Sequence, residues 1–205
     1  VPVVGGSLSF GVRGWREVGS CTGGLEETRG DDVISRGPIF IDFMCRGVQK
    51  RGVPVVTPAG GLGCHLNARE FLPHIDDHEY PAGALAAAVY LAGGIRGMER
   101  GTLSEQREPD GTEPIADVEL LRLAVPRRVF TMSQLLYAVD RITWLFENRE
   151  LVGGLRRVEE PSSLRFFLGR PAPTRSASHP DEPASPPTGA PATTASTTAP
   201  APPSA

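Results

Sequence analysis

Hydrophobic and polar residues alternate with two different periods in the middle of the chain, and both periods are typical of packed secondary structure. Residues 131–154, TMSQLLYAVDRITWLFENRELVGG, carry apolar side chains at helical spacing, which predicts the clearest helix of the chain. Thr131 and Gln134 match a capping box at its start, and a pair of glycines ends it. A second helix is predicted over residues 81–94, PAGALAAAVYLAGG, with a proline in its first turn and glycines at its end.

Shorter apolar segments outside these helices predict strands, because they are rich in β-branched and apolar residues and are bounded by glycine or proline. Strands that are interleaved with helices predict an α/β or α+β domain of about 120 residues. The predicted strands are VPVVTP (53–58), LGCHLNA (62–68), GIRGMERG (94–101), VELLRLAV (118–125) and SSLRFFLGR (162–170).

Composition divides the chain into three parts. Residues 1–44 are rich in glycine and in clustered charges, and only the short apolar piece PIFIDFM interrupts them, so no fold is assigned there. Residues 45–170 form the predicted globular domain. Residues 171–205 are mostly Pro, Ala, Ser and Thr. We expect this tail to be disordered, because it buries too little apolar surface to offset the entropy of ordering it.

Charge and cysteine content limit the classes of function. A net charge of −3 gives no basic footprint for nucleic acid, and no apolar run approaches the length of a membrane span. No secretion signal is visible, and three cysteines without metal-ligand spacing favour a reducing, cytoplasmic setting. Among 21 basic residues Lys50 is the only lysine, so chemistry that needs a lysine amine has one candidate.

Arg122 interrupts the apolar run of the strand predicted at 118–125. An unpaired guanidinium out of water is costly, so a buried strand here predicts an anionic partner. That partner is a ligand, a nearby carboxylate such as Glu119, or a backbone carbonyl. Arg100, at the end of the preceding predicted strand, either faces the same anion or is an exposed charge paired with Glu99.

Five sequence blocks follow one another in an order that resembles a known family. They are RGVPVVTPAGG, AREFLPHI, EYPAGALAAAVYLAGGIRGMERG, ELLRLAVPRRVFTMSQ and EEPSSLRFFLGR. Their order is similar to the C-terminal part of the pyridoxal-phosphate-dependent β-eliminating lyases, the family of tryptophanase and tyrosine phenol-lyase, over about residues 45–170. The resemblance implies the small domain of a fold-type I, aspartate-aminotransferase-like enzyme, without its large cofactor domain.

The resemblance also implies roles for three residues in binding an aromatic amino acid. Arg122 matches the arginine that binds the α-carboxylate of the substrate. Arg100 matches an arginine beside the phenol ring in tyrosine phenol-lyase, where tryptophanases usually have an aliphatic residue. Phe166, the first of an aromatic pair with Phe167, matches a residue near the substrate ring. These matches imply cleavage of a carbon–carbon bond in tyrosine or tryptophan, to phenol or indole, with pyruvate and ammonia.

The chain departs from the family in two ways. The motif that carries the cofactor lysine is absent, and Lys50 does not lie in such a motif. The family block that usually reads GGHAV corresponds to Gly60–Cys64 here, so the usual histidine is missing and His65 is out of register with it. No catalytic, cofactor-binding or metal-binding residue is therefore assigned. Two hypotheses follow. The first is a truncated lyase that is inactive as this chain alone. The second is a non-catalytic small domain, which either acts as a binding or interaction module or is a decayed gene product. Expected partners are a large domain or further copies of the chain, with no nucleic acid or membrane.

Overall fold

The computed structural model describes residues 15–126, 129–161 and 165–174, and it is a mixed α and β structure. This confirms the predicted fold class. The helices are α1 (Trp15–Glu27), α2 (Asp31–Gln49), α3 (Ala68–Phe71), α4 (Pro81–Gly93), α5 (Met132–Glu147) and α6 (Arg165–Leu168). The strands are β1 (Gly63–Asn67), β2 (Met98–Arg100), β3 (Leu120–Ala124), β4 (Leu155–Glu159) and β5 (Arg170–Pro173). Short 3₁₀ turns lie at Asp77–Glu79, Thr102–Ser104 and Arg149–Leu151.

The three-stranded sheet has helices on one of its faces. Strand β3 lies in the centre and pairs antiparallel with β1 on one side and β2 on the other. Helix α2 packs against β1, α4 packs against β2 and β3, and α5 packs across α2 and α4. Strands β4 and β5 form a separate two-stranded antiparallel sheet. The largest fully buried apolar side chains include Phe71, Ile41, Leu66, Leu72, Leu85, Leu121 and Ile142.

Strand β3 alternates in burial, as expected when only one face of an antiparallel sheet is covered. Leu121 and Leu123 point into the core and are at most 3% exposed, whereas Arg122 is exposed between them. The prediction of a buried strand around Arg122 was therefore wrong. The alternation of buried and exposed positions is not visible in the sequence Leu-Leu-Arg-Leu-Ala, because Leu120 and Ala124 are apolar although they lie on the same face as the arginine.

Helix α2 crosses the predicted boundary between residues 44 and 45. Its side chains Ile41, Met44, Cys45 and Val48 belong to the core and are at most 3% exposed. The helix contains Pro38, which cannot donate a backbone hydrogen bond and is unusual inside a helix. Proline and the charge-rich start of the helix hid the helical period, so a boundary at this point was wrong.

The two long predicted helices are both present, but α5 ends at Glu147 and a 3₁₀ turn follows it, so the predicted end at Gly153 and Gly154 was wrong. Helix α4 ends at Gly94, whose φ of 64° lies in the left-handed region that glycine adopts at low cost. At the start of α5 the Thr131 amide donates to Gln134 Oε1 at 2.8 Å, and the Gln134 amide donates back to Thr131 Oγ1 at 3.4 Å. The predicted capping box is confirmed.

The predicted strands agree with the structure less uniformly. Residues 53–58 make only an isolated bridge, from Val55 to Leu66. Within 162–170, residues 165–168 form helix α6 and only Arg170 belongs to a strand, so the predicted strand was wrong; residues 162–164 lie outside the described residues. Strand β4 was not predicted. Strand β5 extends to Pro173, so disorder from residue 171 was wrong, and 175–205 lie outside the described part of the chain. Among the helices described, none combines the length and apolar character needed to cross a bilayer.

Candidate functional site

The uncovered face of the three-stranded sheet carries both arginines singled out from the sequence. His65 and Met98 are the cross-strand partners of Arg122, and Arg100 is the cross-strand partner of Leu120. Residues directly opposite each other, and residues two apart on one strand, share a face. Arg100 and Arg122 are therefore diagonal neighbours on adjacent strands, a relation that places side chains about 7–8 Å apart.

Neither guanidinium has a protein partner in the part of the chain that the structure describes. Arg100 and Arg122 are exposed, and the residues that share their face in β1, β2 and β3 include no carboxylate. Two unpaired guanidinium groups side by side favour an anion, and a carboxylate suits the planar fork of arginine. The arrangement can therefore bind an acidic group that approaches the open face.

The carboxylates that the sequence offered as partners lie on the opposite, buried face. Glu119 is 1% exposed; its Oε1 accepts a hydrogen bond from the Thr102 amide at 2.6 Å, and its Oε2 accepts one from the Ala82 amide at 3.0 Å. Glu99 is 6% exposed and points to the same side as Leu121. Arg122 therefore does not pair with Glu119, and Arg100 does not pair with Glu99.

Glu119 also explains a glycine in the turn after β2. A Cβ atom at Gly101 would overlap the Glu119 carboxylate, so only glycine fits while that carboxylate accepts both amide hydrogen bonds. One of these amides lies in the first turn of α4, where the helix dipole also favours a negative charge. Glu119 thus joins the start of α4 to the turn that follows Arg100.

Phe166 lies in helix α6, which packs against the Thr102–Ser104 turn just beyond Arg100. Its ring is half-buried and meets the ring of Phe167 edge-on at 4.9 Å. Among the described residues no cation–π contact joins Phe166 to Arg100 or Arg122. The structure therefore brings α6 to the turn that follows Arg100, at one end of the sheet.

A buried ionic cluster that sequence analysis missed holds α6 in this position. Arg165 is 2% exposed; its guanidinium pairs with Glu113 and, at 3.2 Å, with Glu160. The Tyr80 hydroxyl donates to Glu113 at 2.8 Å, and the Arg157 guanidinium lies 5.5 Å from the centre of the Tyr80 ring. Burial, and then the Glu113 carboxylate, raise the pKa of Tyr80. The only signal in the sequence was Arg165 beside two aromatic residues.

Cofactor and metal chemistry find little support in the described residues. Lys50, the only lysine, is exposed at the C-terminal end of α2. Cys45 and Cys64 are buried, and the Cys45 thiol, followed by burial, raises the pKa of Cys64. In the residues that the structure describes, no group of three or more His, Cys, Asp or Glu side chains could hold a metal ion. An apolar cleft of about 400 Å³ is lined by Met44, Leu135 and neighbours, but neither Arg100 nor Arg122 lines it.

Comparison with known proteins identifies tryptophanases and tyrosine phenol-lyases among the relatives of this chain. A tryptophanase from Salinibacter ruber is 37% identical over 168 residues, which is 82% of this chain and 36% of the relative. A tyrosine phenol-lyase from Symbiobacterium thermophilum is 37% identical over 171 residues, 83% of this chain and 37% of the relative. A tryptophanase from Hyphomonas neptunium is 39% identical over 162 residues, 79% of this chain and 36% of the relative. No family model matches. The chain spans little more than a third of the length of these curated relatives.

Proposed function

This chain is homologous to the tryptophanases and tyrosine phenol-lyases over about a third of their length, and from that relationship we propose that it is the small, substrate-facing part of an aromatic amino acid lyase. The observation that carries the proposal is the open sheet face, on which two guanidinium groups lie on adjacent strands and share their face with no carboxylate of the described strands. In this proposal the face is one wall of the amino acid site. The opposite wall belongs to polypeptide outside this sequence.

Each predicted residue has a role in this wall. Arg122, in the central strand, binds the α-carboxylate of the substrate. Arg100, one residue pair along the sheet, lies toward the aromatic end of the same substrate. Phe166, carried by α6 at that end, packs near the ring. The diagonal spacing of the arginines, about 7–8 Å, is compatible with an aromatic amino acid whose two ends contact different side chains.

The choice between tyrosine and tryptophan rests on Arg100. A tryptophanase and a tyrosine phenol-lyase have the same 37% identity to this chain, so overall identity does not choose. A guanidinium near the ring favours a phenol oxygen over the apolar edge of an indole. We therefore propose tyrosine, cleaved to phenol, pyruvate and ammonia, as the substrate of the parent enzyme.

Pyridoxal phosphate is the cofactor that the family implies, but the described residues do not form a site for it. The lysine that holds such a cofactor as an imine needs to lie where the substrate also binds, and Lys50 is instead exposed at a helix end. No step through the cofactor is derived for this chain. We propose that the chain alone has no lyase turnover.

Spectroscopy of the purified chain with pyridoxal phosphate tests this point. The imine absorbance of the wild-type chain should match that of a Lys50→Arg variant. The only difference expected is a weak, non-saturable signal from reaction of the exposed Lys50 amine. Saturable binding that disappears in the variant would contradict the proposal, because it would give Lys50 the role of the cofactor lysine.

Affinity for an aromatic amino acid tests the open face itself. Titration with phenylalanine, followed by amide chemical shifts, should give weak binding that Arg122→Gln reduces roughly fivefold, since an exposed ion pair contributes up to about 1 kcal/mol. Arg156→Gln is the matched control, because Arg156 is an exposed strand arginine in the β4–β5 sheet. Equal losses in both variants would refute a specific role for Arg122.

A stand-alone binding module is the second candidate, and the exposed position of Lys50 favours it. In that case the face would bind carboxylates without regard to the aromatic ring, or would bind a second copy of the chain or a large-domain partner. Equal affinity for acetate and for phenylalanine, or a dimer in size-exclusion chromatography that Arg122→Gln dissociates, would support the module over the lyase.

A further inference from the structure

Glu99 is a buried acid directly beneath the candidate site. It lies in β2 between Met98 and Arg100, and its side chain points to the covered face of the sheet while those of its two neighbours point to the open face. The residue is 6% exposed, and both carboxyl oxygens are buried without a hydrogen-bond partner among the described residues. A buried carboxyl group with no donor is costly to keep ionised.

The groups around Glu99 do not supply the missing donor. The Ser104 hydroxyl lies near enough to favour the charged form of Glu99, but its hydrogen bond goes to the Gly101 carbonyl at 2.9 Å, and neither Glu99 oxygen has a partner within hydrogen-bond geometry among the described residues. Helix α4 packs against β2, and the one titratable side chain that it contributes is Tyr90, which is 58% exposed. From the second sheet, Arg157 favours the charged form only through space, as does Arg100 on β2 itself.

Glu119 makes ionisation of Glu99 harder. The two carboxyl groups lie on the same buried face of adjacent strands, and the Glu119 carboxylate accepts hydrogen bonds from two backbone amides. Two buried carboxylates beside each other do not both ionise readily. Burial, and then the Glu119 charge, raise the pKa of Glu99 to about 7.

We propose that Glu99 is a proton-dependent support for strand β2, so that the neutral carboxyl group keeps the strand in place and ionisation loosens it. Strand β2 has only three residues and, among the described strands, lies at the edge of the sheet and pairs only with β3. An ionised Glu99 reaches water only if β2 moves away from α4. Because Arg100 follows Glu99 directly, any such movement displaces the arginine of the candidate site.

The loosening of β2 follows from the buried acid and stands without the proposed function. The consequence for ligand binding rests on the proposed function: affinity for an aromatic carboxylate should fall as Glu99 ionises. The two parts are separable, since strand order is measured without ligand.

Amide hydrogen exchange of residues 98–101 tests the proposal on the intact chain. After correction for the intrinsic exchange rate, protection in the wild-type chain should fall by up to roughly tenfold per pH unit between about pH 5 and 7. In this range Glu99 is ionised when the strand is open and still neutral when it is closed, so rising pH favours the open state. In Glu99→Gln the protection should not change over this range. Glu105→Gln, which removes an exposed acid of the same turn, should behave like the wild-type chain. The same pH dependence in Glu99→Gln and in the wild-type chain would overturn the proposal.

A carboxyl-carbon NMR titration of the wild-type chain keeps the test decisive if Glu99→Gln does not fold. The carboxyl resonance of Glu99 should titrate near neutral pH, together with the amide shifts of β2. A Glu99 resonance that titrates in the ordinary range of exposed glutamates would overturn the proposal. If β2 loosens with pH while ligand affinity stays constant, the role of Glu99 in supporting β2 stands and the proposed function fails.

Discussion

Replacing Glu119 by glutamine should destabilise the fold much more than its conservative shape suggests. The carboxylate accepts two backbone amides, from Thr102 at 2.6 Å and Ala82 at 3.0 Å, in a site that is 1% exposed. Glutamine has one accepting oxygen, so one amide hydrogen bond is lost and the NH₂ group faces a second donor. A hydrogen bond to a charged group contributes roughly 1.5–3 kcal/mol, and a buried unsatisfied donor costs roughly 1–3 kcal/mol.

Because both terms describe the loss of the same hydrogen bond, they overlap, and the expected net loss in the free energy of unfolding is about 2–4 kcal/mol. Urea unfolding followed by circular dichroism at pH 5 is the assay, because Glu99, with a pKa of about 7, is then protonated and gains little when the neighbouring charge is removed. Glu105→Gln is the control and should change stability by no more than about 0.5 kcal/mol. A loss below that value in Glu119→Gln would refute the role given to the buried carboxylate.

A double-mutant cycle with Gly101 examines the same contact independently. Gly101→Ala should be strongly destabilising, because its Cβ would overlap the Glu119 carboxylate. In a Glu119→Ala background the overlap disappears, so the same change should cost less. Additive losses in the double variant would mean that the two residues do not interact.

Three further predictions concern other parts of the fold. Glu99→Gln should leave stability nearly unchanged at pH 4.5 and raise it by up to roughly 3 kcal/mol at pH 8. The wild-type chain loses stability as pH rises from the pKa of Glu99 in the unfolded chain to its folded pKa of about 7. Parallel urea curves for both proteins at every pH would contradict this. Arg165→Met should destabilise the chain by up to roughly 3 kcal/mol in urea unfolding, since it removes the nearer of the two buried arginines that pair with Glu113 and leaves only Arg157 at 3.8 Å among the described residues. A neutral result would exclude a structural role for the ionic cluster. Thr131→Ala should cost about 1 kcal/mol through loss of the α5 cap, and an unchanged thermal midpoint would count against the cap.

Regular periodicity and local capping could be predicted from the sequence, because they depend on neighbours along the chain. Helices α4 and α5 follow from apolar spacing and from Thr131 and Gln134. The mixed α and β class followed from the alternation of these helices with short apolar segments. Helix α2 escaped prediction because the core residues of its second half share a helix with Pro38 and a charged first half.

The candidate site was predicted in its residues but not in its environment. Arg122 looked buried because Leu120 and Ala124 on the exposed face are as apolar as Leu121 and Leu123 beneath them. The burial of Glu99 and Glu119 depends on which face α4 covers, and this is set by contacts between segments far apart in sequence. The pairing of Arg165 with Glu113 spans more than fifty positions, so no local pattern indicates it.

The location of amino acid binding decides whether Arg100 and Arg122 act together. On the proposed function, the two arginines form one surface on the open face of the sheet, and this surface binds an aromatic amino acid. In a ¹⁵N-resolved NMR titration with phenylalanine, shift changes should cluster on β1, β2 and β3 and should weaken in both Arg100→Gln and Arg122→Gln. Shift changes centred on the apolar cleft beside Met44 and Leu135, unaffected by either substitution, would contradict the account.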